Sequence, residues 1–209
     1  MNAVAHHLAE ADRAIARGRD AVALRHLRKV VRLAPAVPDY WALLGDRLLV
    51  QDAFEAAIRA YRRAWTLLTE RGIDPGCPDC RASASALCAA LASALAGRGD
   101  WRLAVRSSHA AIRWLPSAQN YVSLGEVHEL AGRPGRARGC YEAARRRDAT
   151  HVPALLHLAD LDLWTRPETV QGLCLQVLAM QPGHHEALTS LAAVHMQNEA
   201  WSEAQSCVE

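Results

Sequence analysis

The 209-residue sequence has little of several residue types, and each scarcity narrows the class of protein. It contains one Phe, a single Lys (Lys29) and only 5% aromatic residues, whereas 51% of it is apolar. This Ala-, Leu- and Arg-rich composition indicates a helical globular chain and excludes disordered and collagen-like classes. The sequence has no run of 18 uncharged apolar residues and no basic, apolar leader at its amino terminus. We therefore expect a soluble, cytoplasmic chain without a membrane span.

The charge of the chain is nearly balanced, and its cysteine spacing argues against one further class. The 24 basic and 22 acidic residues leave a formal net charge of +2. The six cysteines lack the regular spacing of a small disulfide-bonded secreted domain, so we expect free thiols.

Apolar and small residues recur along the chain at spacings of three and four. Residues 41–67 contain two such blocks, and each block predicts one amphipathic helix. Small residues stand where the two helices must approach closely, and large ones fill the space between them. The positions are Trp41, Leu44, Gly45 and Leu48 in the first block and Ala57, Tyr61 and Ala64 in the second.

The same pattern returns from residue 121, and weaker copies occur elsewhere. The second clear copy holds Leu124, Gly125, Ala137, Tyr141 and Ala144. The pattern resembles the tetratricopeptide repeat (TPR), a helix pair with Trp, Leu-Gly, Ala, an aromatic residue, Ala and Pro at set positions. Proline is expected to end second helices at Pro35, Pro116 and Pro182. The six copies span about 4–37, 38–71, 85–118, 118–151, 152–184 and 185–209, the last incomplete, with a loop insertion at 72–84.

The resemblance implies an all-α fold, a right-handed superhelical solenoid of about six antiparallel helix pairs forming a single domain over residues 1–209. Such pairs bury their apolar faces only against neighbouring pairs, and a terminal pair needs a polar cap. No cap is visible after Val208. We therefore expect either a longer protein or a last repeat that docks on something, including a second copy of the chain.

The resemblance also implies that a partner contacts the concave face formed by the first helices. Acidic residues alternate there with apolar ones, which predicts a groove for a basic or amphipathic peptide segment or helix. Helix faces that only contact solvent carry similar charges. The interpretation of these residues as an ordinary solvated surface therefore stays open. The candidate groove residues are Asp12, Asp46, Leu49, Ser93, Val122, Glu126, Glu129, Leu156, Asp160 and Trp164.

These residues predict a non-catalytic scaffold or adaptor that binds a protein or peptide. The alternative is a regulatory or substrate-recruiting arm of a larger enzyme or complex. A clamp for a partner's terminal carboxylate is not expected, because Asp46 and Asp160 stand where the resemblance requires Asn. Nucleic acid is a weaker candidate, since the Arg-rich outer helices lack interleaved aromatic residues for base stacking.

One local motif has chemical character of its own. Cys77-Pro78-Asp79-Cys80 contains two thiols three positions apart, as in zinc sites and redox pairs. The neighbouring prolines favour an irregular loop in which the pair is incidental, and zinc binding and redox chemistry remain open as less favoured alternatives. With no phosphate-binding loop or nucleophile motif in the sequence, we expect no enzyme activity and no cofactor.

Overall fold

The computed structural model describes residues 3–198 and residue 200, and every regular element in this part of the chain is an α-helix. The predicted all-α fold class is therefore confirmed. The chain divides into two compact units, one ending at Pro116 and the other beginning at Ser117.

The first unit consists of three helix pairs. Each helix packs on the next within a pair, α2 packs on α3 and α4 on α5 between pairs, and the first helices α3 and α5 also touch. Short connections make successive helices antiparallel. The helices are α1 (Ala3–Ala16), α2 (Asp20–Leu33), α3 (Pro38–Leu49), α4 (Phe54–Glu70), α5 (Pro78–Gly97) and α6 (Trp101–Trp114).

The described part of the second unit, residues 117–198 and 200, contains two helix pairs and one further helix. The first helices again neighbour one another, α7 with α9 and α9 with α11, as expected for stacked helix pairs. The sixth repeat was predicted as incomplete over residues 185–209, and the part of it that would form a second helix lies outside the described residues. The helices are α7 (Ala118–Leu130), α8 (Pro134–Arg147), α9 (Val152–Asp162), α10 (Pro167–Met180) and α11 (His185–Gln197).

Helix ends follow the sequence signals. Three second helices, α2, α6 and α10, end two residues before Pro35, Pro116 and Pro182, as predicted. The first helix α1 is followed by Gly18, whose φ of +64° is open to glycine without steric strain. This turn lets the Arg19 N–H donate to the carbonyl of Ala14 at 2.8 Å, which satisfies a helix-terminal acceptor.

The predicted loop insertion at 72–84 is wrong in its extent. Helix α5 begins at Pro78, so residues 78–84 form its first two turns and the connection after α4 is only 71–77. Proline is favoured at the first position of a helix, where its missing N–H has no intrahelical partner to lose. Pro78 therefore starts a helix instead of marking a loop.

Among the described helices, α5 alone is both long enough and apolar enough to meet the criterion for a membrane span. Its 20 residues include an 18-residue window with a mean hydropathy of 1.3, long and apolar enough to cross a membrane by that criterion alone. Of that window 44% is buried inside the protein, where α5 packs against α4 and α6. This burial is what the core helix of a globular unit requires.

Candidate functional site

A cleft of 230 Å³ opens in the first unit between the first helices α3 and α5. Residues of α3 and α5 contribute most of the lining, and α4 contributes two residues. The lining residues are Pro38, Asp39, Ala42, Asp46, Tyr61, Leu68, Ser83, Ala86, Leu87 and Ala90.

The cleft is apolar with two carboxylates. Asp39 and Asp46 are the charged members of the lining, both exposed, and they lie seven residues apart on α3. Residues at this spacing share one face of a helix. Ser83, Ala86 and Ala90 leave space on the α5 side because their side chains are short. The cleft can therefore accept apolar side chains and place a positive charge beside the carboxylates.

Tyr61 fixes the position of one carboxylate. Its ring is fully buried, and its hydroxyl donates a hydrogen bond to Oδ1 of Asp46 at 2.8 Å. Burial, followed by the neighbouring negative charge of Asp46, raises the pKa of Tyr61 far above its ordinary value, so the hydroxyl stays a donor. Asp46 thus presents an oriented carboxylate to the cleft.

The second unit carries a different arrangement of acidic groups around His157 on α9. The imidazole Nε2 lies 3.5 Å from Oε1 of Glu126, and Nδ1 lies 3.6 Å from Oε2 of Glu129. Tyr141 donates a hydrogen bond to Glu129 and stacks on the imidazole, with ring centroids 4.7 Å apart. The hydrogen bond with Glu126 raises the pKa of His157 above its ordinary value.

Asp160 lies one turn further along α9 and extends this acidic region. Asp160 keeps an exposed surface, but partial desolvation by the surrounding protein atoms, followed by repulsion from Glu186, raises its pKa. The ionised form of Asp160 is therefore poorly solvated and is repelled by a neighbouring carboxylate. The region is therefore suited to a cationic group, and His157 supplies one internally when it is protonated.

The predicted groove residues divide into three groups. Asp12, Asp46, Ser93 and Asp160 are exposed, Leu49, Glu126 and Glu129 are partly exposed, and Trp164 is 78% exposed. Val122 and Leu156 are the exceptions. Val122 has no exposed surface and Leu156 only 7%, because both belong to the core of the second unit. They pack against their own chain as core residues, so the prediction that they line a groove was wrong.

The structure brings few of the predicted residues together. Asp46 is the one that lines the cleft of the first unit, whereas Asp12, Leu49 and Ser93 lie outside its lining. Glu126 and Glu129 meet at His157 in the second unit.

The sequence analysis missed Asp39, Ala86, Ala90 and His157. Asp39 had a detectable signal, since it lies two turns before Asp46 on one helix face. Ala86 and Ala90 had none, because a short apolar side chain looks the same in a sequence whether it lines a cleft or packs between helices.

The two thiols of the Cys77–Cys80 motif lie at the start of α5. Cys77 is the residue that caps the helix, and Cys80 is in its first turn, so the prediction of an irregular loop at this motif was wrong. Within residues 3–198, no group of three or more His, Cys, Asp or Glu side chains is arranged to hold a metal ion.

Comparisons with known proteins identify the fold. No family model and no curated protein matches the sequence. Among solved structures, the chain is similar to the thermophilic TPR protein TTC0263 of Thermus thermophilus, with 18% identity, a TM-score of 0.66 and coverage of 92% of this chain and 99% of that one. It is also similar to PilF of Pseudomonas aeruginosa, with 17% identity, a TM-score of 0.68 and coverage of 98% and 88%.

A third similar structure is YrrB, which is described as a TPR protein with an unusual peptide-binding site. The identity is 14%, the TM-score is 0.55, and the match covers 87% of this chain and 88% of that one. Identities this low show that the fold is shared, and they do not show which ligand this chain binds.

Proposed function

This chain has the tetratricopeptide-repeat fold, and from that premise we propose that it is a non-catalytic, cytoplasmic scaffold that binds a basic, amphipathic peptide segment or helix of another protein. The observation that carries the proposal is the α3/α5 cleft, with an apolar lining and two exposed carboxylates on α3. YrrB, a structure of the same fold that is described as having a peptide-binding site, supports a peptide as the class of ligand.

The chemistry of the cleft favours a ligand with two features. The apolar lining formed by Ala42, Leu68 and Leu87 excludes water from one or two aliphatic side chains of the bound peptide. Asp39 and Asp46 then accept hydrogen bonds from Lys or Arg at the rim, and such charge-assisted bonds are stronger than neutral ones. Because Tyr61 orients Asp46 in advance, little side-chain ordering remains for the binding step.

The net positive charge of the first unit makes a preference for a basic peptide a stringent test of the cleft. Up to Pro116 the chain has 17 basic and 11 acidic residues, so its general electrostatic attraction favours acidic ligands. A preference for a basic peptide would therefore report contacts at the two carboxylates and not the overall field.

The experiment compares two fluorescein-labelled helical peptides with identical leucines, one carrying Lys and Arg and the other Glu at the polar positions. Fluorescence anisotropy with the full chain should give tighter binding of the basic peptide. The variant Asp39→Lys/Asp46→Lys should weaken that binding by at least about tenfold, or about 1.4 kcal/mol. Asp39→Lys alone, which leaves the Tyr61 hydrogen bond intact, should give part of the loss.

The matched control is Asp12→Lys, the same charge change at an exposed position of the same unit outside the cleft. It should change the affinity by less than about twofold, since exposed charges distant from a ligand are screened by salt. Equal losses in Asp12→Lys and Asp39→Lys, or tighter binding of the acidic peptide, would refute the cleft as the binding site.

A further inference from the structure

The Cys77–Cys80 motif is chemically distinct from the rest of the chain and has no part in the proposed peptide binding. Cys77 caps the amino terminus of α5, Pro78 and Asp79 follow it, and Cys80 completes the first turn. Both thiols are partly exposed. A disulfide-forming reagent can therefore reach either sulfur.

The geometry of the helix start stabilises a thiolate at Cys77. The backbone N–H of Cys80 donates a hydrogen bond to Sγ of Cys77 over 3.3 Å. The first N–H groups of a helix have no intrahelical acceptor, and the helix dipole adds partial positive charge at the same end. The sulfur of Cys77 thus accepts a hydrogen bond from a backbone N–H of the first helical turn that has no acceptor within the helix.

The two thiols differ in the direction of their pKa shifts. The hydrogen bond from the Cys80 thiol, assisted by the Cys80 N–H, lowers the pKa of Cys77, against the opposing effects of burial and the charge of Asp79. The same thiol hydrogen bond raises the pKa of Cys80, with further raising contributions from burial and from the charge of Cys77, against a backbone hydrogen bond at Asp74 that lowers it. One thiol therefore ionises first while its neighbour holds its proton.

The other described cysteines have the opposite character. Burial raises the pKa of Cys140, and it raises the pKa values of Cys88 and Cys174 to about 11. Desolvation makes these thiols poor nucleophiles, because the thiolate is the reactive form.

We propose that Cys77 and Cys80 form a reversible dithiol–disulfide pair, in which Cys77 attacks the disulfide of a small molecule or partner protein and Cys80 resolves the product. The Cys77 thiolate forms a bond to one sulfur of the external disulfide, and the other sulfur leaves as a thiolate. Cys80 then gives its proton to solvent and attacks the Cys77 sulfur, releasing the second external thiolate. Two protein thiols are oxidised, and one disulfide is reduced to two thiols.

The first test measures this exchange on the full-length chain. Protein reduced with dithiothreitol is equilibrated under argon with mixtures of reduced and oxidised glutathione, alkylated, and mapped by peptide mass spectrometry. We expect a Cys77–Cys80 disulfide, two hydrogen atoms lighter than the dithiol, that forms and disappears reversibly with the glutathione ratio. A pair that remains reduced under excess oxidised glutathione, or that copurifies with one equivalent of zinc, would overturn the proposal.

The second test separates the two roles. Cys80→Ser should accumulate a mixed disulfide with one glutathione on residue 77, because the resolving thiol is missing. Cys77→Ser should form the corresponding adduct on Cys80 at least about tenfold more slowly at pH 7, since a thiol with a raised pKa supplies little thiolate.

The matched control is Cys140→Ser, a partly exposed thiol on α8 of the second unit. It should leave the Cys77–Cys80 exchange unchanged. Equal rates of adduct formation in the two single variants of the motif would contradict the assignment of Cys77 as the attacking thiol. Circular dichroism confirms that each variant retains its helices, so that a folding failure is not taken for a loss of reactivity.

Discussion

At the scale of single residues, two glycines allow the helices of a pair to touch. A Cβ added at Gly45 would overlap the ring of Tyr61, and one added at Gly125 would overlap the ring of Tyr141. Both tyrosine rings are fully buried, so they have little room to move aside. The glycine–tyrosine contact therefore sets how closely the two helices approach.

A pair of Gly→Ala substitutions in one helix hairpin tests this contact. Gly125→Ala should lower the free energy of unfolding by about 1–3 kcal/mol, because overpacking forces the ring or the backbone to shift. Gly139→Ala on α8 should raise it by about 0.5–1 kcal/mol, since that glycine has open space and alanine favours helix. Urea denaturation measures both, and a neutral or stabilising Gly125→Ala would contradict the account.

His157 is the second residue with a measurable signature. Its pKa is raised, first by the hydrogen bond with Glu126 and then by the charges of Glu126, Glu129 and Asp160. An NMR titration should therefore give a midpoint above the ordinary value of about 6.5. Glu126→Gln should lower that midpoint, whereas Glu142→Gln, on α8 beside Arg138, should leave it unchanged.

The sign of the accompanying stability effect follows from linkage. A histidine with a raised folded pKa contributes stability that is fully present below its unfolded value of about 6.5. That contribution disappears as the pH rises through the folded pKa. The difference in stability between the native chain and His157→Gln should accordingly shrink across this range, and a difference that grows with pH would exclude the ion pairs.

At the scale of elements, α8 and α9 are joined by an ion pair. Arg138 makes a two-pronged contact with the carboxylate of Asp162, including a bond of 2.7 Å from Nη2 to Oδ2. The side chain of Asp162 is 1% exposed, whereas that of Arg138 is 27% exposed. The hydrogen bonds to Asp162, partly opposed by desolvation, raise the pKa of Arg138. The arginine compensates a carboxylate that has almost no access to water.

Removing the arginine should therefore be costly. Arg138→Met should destabilise the chain by about 2–4 kcal/mol, toward the lower part of the range for broken buried pairs because the guanidinium is partly solvated. Arg136→Met, at an exposed position of the same helix, should change stability by less than about 0.5 kcal/mol.

The double variant Arg138→Met/Asp162→Leu tests the physical reason for that loss. It should recover most of the stability, since the buried charge is then gone as well. Thermal and urea unfolding provide the comparison. A double variant as unstable as Arg138→Met would show that the loss comes from packing and not from the unpaired carboxylate.

The helices were predictable because their apolar spacing is a local property of the sequence. The start of α5 was not, since Pro78 fits both a loop and the first position of a helix. The burial of Val122 was also hidden. Seven of the 13 residues of α7 are buried, as its own pair and a neighbouring first helix both cover it, and periodicity does not show the width of a buried face.

At the scale of the whole molecule, the sequence pattern predicted the succession of helix pairs, and five pairs and a further first helix are present in the described residues. The continuous solenoid over residues 1–209 stays a prediction, since each compact unit is described by itself. The candidate site was only partly predictable. Asp46 follows from the repeat pattern, but the cleft also depends on the length of α5 and on its small side chains.

The most direct test of the central claim is an NMR titration that maps where a basic, amphipathic peptide binds. With the ¹⁵N-labelled full chain, the account predicts that amide shifts concentrate in the α3/α5 cleft, at Ala42, Asp46, Ala86 and Ala90. It also predicts that Asp39→Lys/Asp46→Lys abolishes them. Shifts that leave these residues unmoved at saturation, or that persist unchanged in the charge-reversed variant, would contradict it.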